Sequence, residues 1–226
     1  MSPLLWLLAG CSPALKIPGP LAAVGRAPTP PAWEVPVRPT PGPVSSPAPT
    51  RRPQEPDFGQ SLADAASFYL AHEPHDWRPD CSGFVCAAAS RAGWALQGNT
   101  RSLWALAEKM HTTNHRKIPA VGDLAFFDNT YDRNRNGKLD DELTHVAVVI
   151  GVEDDGTILL AHAGTSAGRT LLHMNLEHPD EATDADGKVL NDWLRRKRAS
   201  DRPGTPHRAG ECWHGFATMD PPAPTN

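Results

Sequence analysis

Thirteen prolines fall between Ile17 and Pro56. Each lacks a backbone N–H and has φ locked near −65°, so such a run cannot continue as a helix or sit inside a sheet. The stretch also shows no hydrophobic periodicity and no charge pattern. It reads as an extended linker of polyproline character over residues 12–56. At ~3.1 Å per residue, forty such residues reach on the order of 120 Å. Whatever folds must come from residues 57–220, which suit one globular domain followed by a short tail, 221–226.

Within that span the period of the apolar residues changes once. Ser61–Leu70, the stretch from Cys81 to Gly93, and Ser102–Met110 carry helical spacing. After them come strand-like runs: Gly122–Phe127, His145–Ile150, Thr157–His162, Thr170–Leu176 and Cys212–Phe216. Asp154-Asp155-Gly156 makes a turn that joins two of these as a hairpin. Residues 177–210 are polar and read as loop with one short helix around Leu190–Arg195. Helices first and strands afterwards predict an α+β fold with an antiparallel sheet.

Asp80 is a good N-cap, which places Cys81 in the first turn of an alanine-rich helix. Unpaired N–H groups and the helix dipole favour a thiolate there. One cysteine on an apolar helix is more often inert core, so a base has to be found. His145 opens one strand of the hairpin and His162 closes the other. Antiparallel pairing sets the start of one strand beside the end of its neighbour. Cys81, His145 and His162 therefore stand as nucleophile, base and orienting group.

The runs Asp80-Cys81-Ser82-Gly83-Phe84-Val85, Gly122-Asp123-Leu124-Ala125-Phe126-Phe127, His145-Val146-Ala147-Val148-Val149-Ile150-Gly151 and Leu160-Ala161-His162-Ala163-Gly164 resemble the NlpC family of cell-wall cysteine peptidases, close to the CHAP amidases. The resemblance implies a papain-like NlpC/CHAP fold and hydrolysis of amide bonds in peptidoglycan stem peptides through an acyl-enzyme. It implies a catalytic set of Cys81, His145 and His162, with no cofactor required for the chemistry. The family's tyrosine ahead of the cysteine motif is not matched: here the run is Tyr69 to Arg78, where Tyr69, His72 or Trp77 could stand in. The alternatives are a non-catalytic wall-binding module of the same fold, and an acyltransferase or thioesterase.

Leu8-Ala9-Gly10-Cys11 resembles a lipobox, so residues 1–11 read as a lipoprotein-type signal with Cys11 as the lipidated residue, although no positively charged stretch precedes the apolar run. That resemblance implies export to the periplasm or cell envelope, a membrane partner through the lipid, and, with Ser12 next, the outer membrane. Of the other cysteines, Cys86 and Cys212 remain to pair or to stay as thiols. Asp132-Arg133-Asn134-Arg135-Asn136-Gly137, with Asp140 and Glu142, resembles a compact calcium loop. A structural calcium ion held by Asp132, Asn134, Asn136, Asp140 and Glu142 is therefore expected as an option beside a plain turn. Net charge is −4 and no basic patch of nucleic-acid type is present, so no nucleic-acid partner is expected. Arg195-Arg196-Lys197-Arg198 reads as a solvated helix end. The domain is expected to be a monomer.

Overall fold

The computed structural model describes residues 57–222. The signal, the linker, Cys11 and the last four residues lie outside the described residues. Three helices come first: α1 (Phe58–Ala71), α2 (Cys81–Arg91) and α3 (Thr100–Lys109). Each starts at a polar cap. Asp57 accepts from the Gln60 N–H, Asp80 from the Gly83 N–H, and Asn99 from the Ser102 N–H with the Ser102 hydroxyl accepting in return from the Asn99 N–H. These side chains satisfy the amide groups that a helix start leaves without partners. α1 buries Leu62, Ala63, Ala65 and Ala66 along one face. α2 differs: Ser82 to Ala89 are all buried, as expected of a helix packed on all sides. It lies against α1 and against two strands of the sheet.

Six strands follow: β1 (Thr113–Asn114), β2 (Leu124–Phe127), β3 (His145–Val152), β4 (Ile158–Thr165), β5 (Gly168–Met174) and β6 (Trp213–Ala217). They form one sheet in the order β1-β6-β2-β3-β4-β5, and every neighbouring pair is antiparallel. Strand alternation divides the sheet between two cores. Leu124, Phe126, Val146, Val148 and Ala161 face the helices. Ala125, Phe127, Ala147, Val149 and Leu160 face the other way.

That second face is covered by the polar stretch between β5 and β6, which contributes Leu176, Leu194, Ala209 and Cys212. The short helix expected around Leu190–Arg195 is absent. Leu194 and Arg195 instead both donate to the His207 carbonyl, Trp193 bridges to Arg208, and Leu190 and Leu194 are buried. Burying two apolar side chains, with Leu194 packed against the sheet, outweighs a weak local preference for helix. The one helix in this region is α4 (Ala209–Cys212), a single turn before β6. Asn191, 1 % exposed, ties the segment together: its Oδ1 accepts from Asn175 and Gly210, and its Nδ2 donates to the carbonyls of His178 and Glu181.

Cys86 and Cys212 are both buried thiols. Cys86 lies on α2, on the helical side of the sheet, while Cys212 belongs to the core of the opposite side. The sheet between them excludes a disulfide.

Candidate active site

Two helix starts, a strand pair and two excursions of chain surround a cleft of about 1090 Å³. The α2 start brings Cys81. Asp80 fixes it, accepting from the Gly83 N–H at 2.6 Å and from the Ser82 hydroxyl at 2.8 Å, and Arg78 braces the turn by donating to Ser82 Oγ and to the Gly98 carbonyl. Glycine at 83 is required by this packing, because a Cβ there would stand 2.1 Å from the Arg78 carbonyl oxygen. Glycine is required at 164 too. Its φ is +85° and an added Cβ would come within 2.8 Å of the Cys81 nitrogen. The end of β4 thus passes closely against the α2 N-terminus.

Sγ of Cys81 lies 3.7 Å from the Thr100 hydroxyl, and the backbone of Val146, the residue after His145, is near enough to favour its ionised form. The α2 start and the β3 start therefore meet at the sulfur. His145 is 4 % exposed and lines the same cleft. Its Nε2 is 2.8 Å from Nδ1 of His162, which is 2 % exposed. His145 makes no other side-chain hydrogen bond among the described residues. For its Nδ1 to take a proton, Nε2–H must donate to His162, which leaves the His162 proton on Nε2. That atom is buried with no hydrogen-bond partner among the described residues.

Burial pushes the Cys81 thiol up from its ordinary value near 9, and the Asp80 carboxylate adds to the rise. The Thr100 hydroxyl and the backbone of Val146 and Ser82 work against it. The thiolate expected from a helix start alone is thus outweighed by desolvation. Burial also holds His145 well below the usual histidine range, and His162 beside it lowers it further. His162 is pushed down to about 4 by burial, against the pull of Asp192. Each of these shifts favours the uncharged form, a thiol beside two neutral imidazoles.

None of Tyr69, His72 and Trp77 lines this cleft. Tyr69 packs against the helical core, and His72 stacks on Phe68 at the end of α1. The polar groups beside the sulfur come instead from the α3 start, through Thr100. Sequence reasoning passed over Thr100, because a threonine after an N-cap has an ordinary structural explanation.

The chain between β2 and β3 forms one rim with Tyr131, Arg133 and Leu143. Its polar side chains are largely engaged with one another. Asp132 accepts from the N–H groups of Asn136 and Gly137, and the amides of Asn134 and Asn136 donate to Asp140. Glu142 takes no part through its side chain, offering only its carbonyl to Arg133. Among the described residues, no three His, Cys, Asp or Glu side chains come together as a metal-binding group.

Residues 71–164 match the family model of the CHAP domain. Over that stretch the chain is similar to the CHAP domain. Its architecture is the α+β, papain-like CHAP fold, and CHAP domains in general are amidases and peptidases that hydrolyse peptidoglycan. The match takes in Cys81, His145 and His162. It ends before the segment that covers the second face of the sheet and forms the far wall of the cleft. No curated protein matches the chain.

Proposed function

We propose that the chain is a cysteine hydrolase that cleaves amide bonds in peptidoglycan stem peptides through an acyl-enzyme. One observation carries this reading: Cys81 and His145 line one open cleft, and His145 is hydrogen-bonded to the buried His162, all within the residues that match the CHAP domain. His145 removes the thiol proton as Sγ attacks the amide carbonyl carbon, and His162 accepts from the imidazolium's Nε2–H. The C–N bond breaks as His145 returns the proton to the leaving amine. Water, deprotonated by the same imidazole, then releases the acyl group as a carboxylic acid. The Cys81 N–H at the α2 start suits the oxyanion. With thiol and imidazole both neutral at rest, His145 acts as a general base during attack rather than as half of a standing ion pair.

The test is digestion of purified peptidoglycan with mass spectrometry of the fragments. New amine and carboxyl ends in a stem peptide are expected, and they should be lost in Cys81→Ala. Equal release by that variant would refute the mechanism, and transfer of an acyl chain without hydrolysis would point to an acyltransferase. A lipid on Cys11 and a proline-rich tether over 12–56 fit a membrane-held hydrolase that reaches the wall. Mass spectrometry of Cys11 in envelope fractions tests the anchor. Calcium at the Asp132–Glu142 loop, as an ordering element ahead of His145, is checked by calorimetric titration, and an absence of binding heat removes it.

A further inference from the structure

The cleft is cationic although the chain is not. The whole sequence carries net charge −4, yet the cleft is lined by Arg101, Arg133, Arg195 and Arg196 against one carboxylate, Asp80. Asp80 is already committed to the α2 start and to Arg78. Arg195 is committed as well, its guanidinium bound to both oxygens of Asp201 at 3.0 and 2.8 Å with both side chains nearly buried. Arg133 leans on Asp141 at 3.4 Å. Arg101 and Arg196 have no ion-pair partner among the described residues. The starts of α2 and α3, the positive ends of two helices, open on the same space. Low-dielectric walls lined by one sign of charge focus the field on the ligand.

The far wall is built rather than loose. The buried Arg195–Asp201 fork fixes the residue next to Arg196. Trp193 lies 57 % exposed on the cleft, and Arg208 stacks on its ring at 4.5 Å. An aromatic face held in the open beside an unpaired guanidinium is suited to a peptide that ends in, or branches to, a carboxylate. Arginine recognises that group through two parallel hydrogen bonds.

The geometry points to a carboxylate-selecting subsite: Arg101 from the α3 start and Arg196 from the segment between β5 and β6 bind free carboxylates of the peptide whose amide bond lies at Cys81, with Trp193 as the platform between backbone and solvent. This inference rests on the hydrolase reading for the position of the scissile bond, but its binding test does not need turnover.

The full-length Cys81→Ala protein, which keeps the substrate intact, is titrated calorimetrically with a wall tetrapeptide bearing free carboxylates and with the same peptide as carboxamides. The carboxamide is expected to bind about tenfold more weakly, the low end for loss of one charge-assisted hydrogen bond. Added salt should narrow the gap. Arg196→Ala in the same background should remove most of it while leaving the circular dichroism spectrum unchanged. Equal affinity for the two peptides, no binding of either, or tighter binding of a glycerol phosphate polymer overturns the subsite. Wild-type protein that cleaves both peptides at the same rate keeps the hydrolase reading and sinks this one. Selective binding without cleavage does the reverse.

Discussion

The two buried histidines make the domain's stability fall on acidification, and His162 is where the size of the effect can be worked out. Its folded value is about 4 against an ordinary 6.5. A group held below its unfolded value binds its proton more readily in the unfolded chain, so stability is complete above about pH 6.5 and is lost as pH falls towards 4. At about 1.4 kcal/mol per pH unit, the gap amounts to about 3 kcal/mol once pH is below 4, and to about 2 kcal/mol at pH 5. For a domain of this size that is a fall in Tm of roughly 4–8 °C between pH 7 and pH 5 from His162 alone. His145, shifted in the same direction, adds to it. The informative perturbation is His162→Asn, whose side-chain oxygen can accept from His145 Nε2–H as the imidazole nitrogen does but does not titrate. Thermal unfolding followed by circular dichroism at half-unit steps from pH 7.5 to 4.5 should give a shallower acid slope for the variant than for the wild type. Parallel curves would mean that His162 is protonated without cost in the folded state. The neutral-pair description of the site would then be wrong.

Other outcomes follow from the same geometry. Iodoacetamide alkylation of Cys81 should still be accelerating at pH 9, because burial raises the thiol, and Thr100→Val, which removes the hydroxyl 3.7 Å from Sγ, should push the profile further up; a plateau below pH 8 would restore the thiolate. Gly164→Ala should cost about 2 kcal/mol or more, from a strained positive φ and a Cβ against the Cys81 nitrogen, and should depress activity beyond what the lost stability explains; urea denaturation beside a peptidoglycan assay separates the two. Asn191→Ala leaves the N–H groups of Asn175 and Gly210 without their acceptor at about 1–3 kcal/mol each, so its urea midpoint should drop well below that of wild type while the alkylation profile of Cys81 stays where it was.

What could be read from the chain alone was local or periodic. The cap Asp80 stands beside an apolar helical stripe, and β3 and β4 are joined by a short turn; the caps Asp57 and Asn99 emerge only with the structure, which starts α1 and α3 ahead of Ser61 and Ser102. The 2.8 Å contact of His145 with His162 follows from antiparallel pairing of β3 with β4, although β4 continues past His162 to Thr165. What could not be read depended on contacts distant in sequence. The short helix expected around Leu190–Arg195 gave way to burial of Leu190 and to packing of Leu194 against the sheet. Arg195 and Arg196 read as a solvated helix end because the span between them and Cys81 carries no periodic clue. They are held on the cleft by Asp201 and by a backbone link to His207. Thiol ionisation divides in the same way: the cap and dipole are local and visible, whereas the burial that raises the thiol comes from parts of the chain distant in sequence.

The segment between β5 and β6 is more than a connection. The sheet face that it covers includes Phe127, Leu160, Leu172, Met174 and Phe216, each no more than 2 % exposed. At about 2 kcal/mol per large apolar side chain removed from water, uncovering these five would forfeit about 10 kcal/mol, which is comparable to the whole stability of a typical domain. The segment is therefore retained for folding whatever the substrate is. It is also held at defined points, by Asn191 against the sheet and by the Arg195–Asp201 fork near the cleft. A wall that must be present and fixed for stability is free to vary at the side chains it turns towards the cleft. Trp193 and Arg196 are such positions: both line the cleft beyond the end of the CHAP match, and the buried groups beside them do the structural work. The part of the chain that resembles the family holds the sulfur and the imidazoles, and the part that does not is where selection among peptides can be altered without disturbing either.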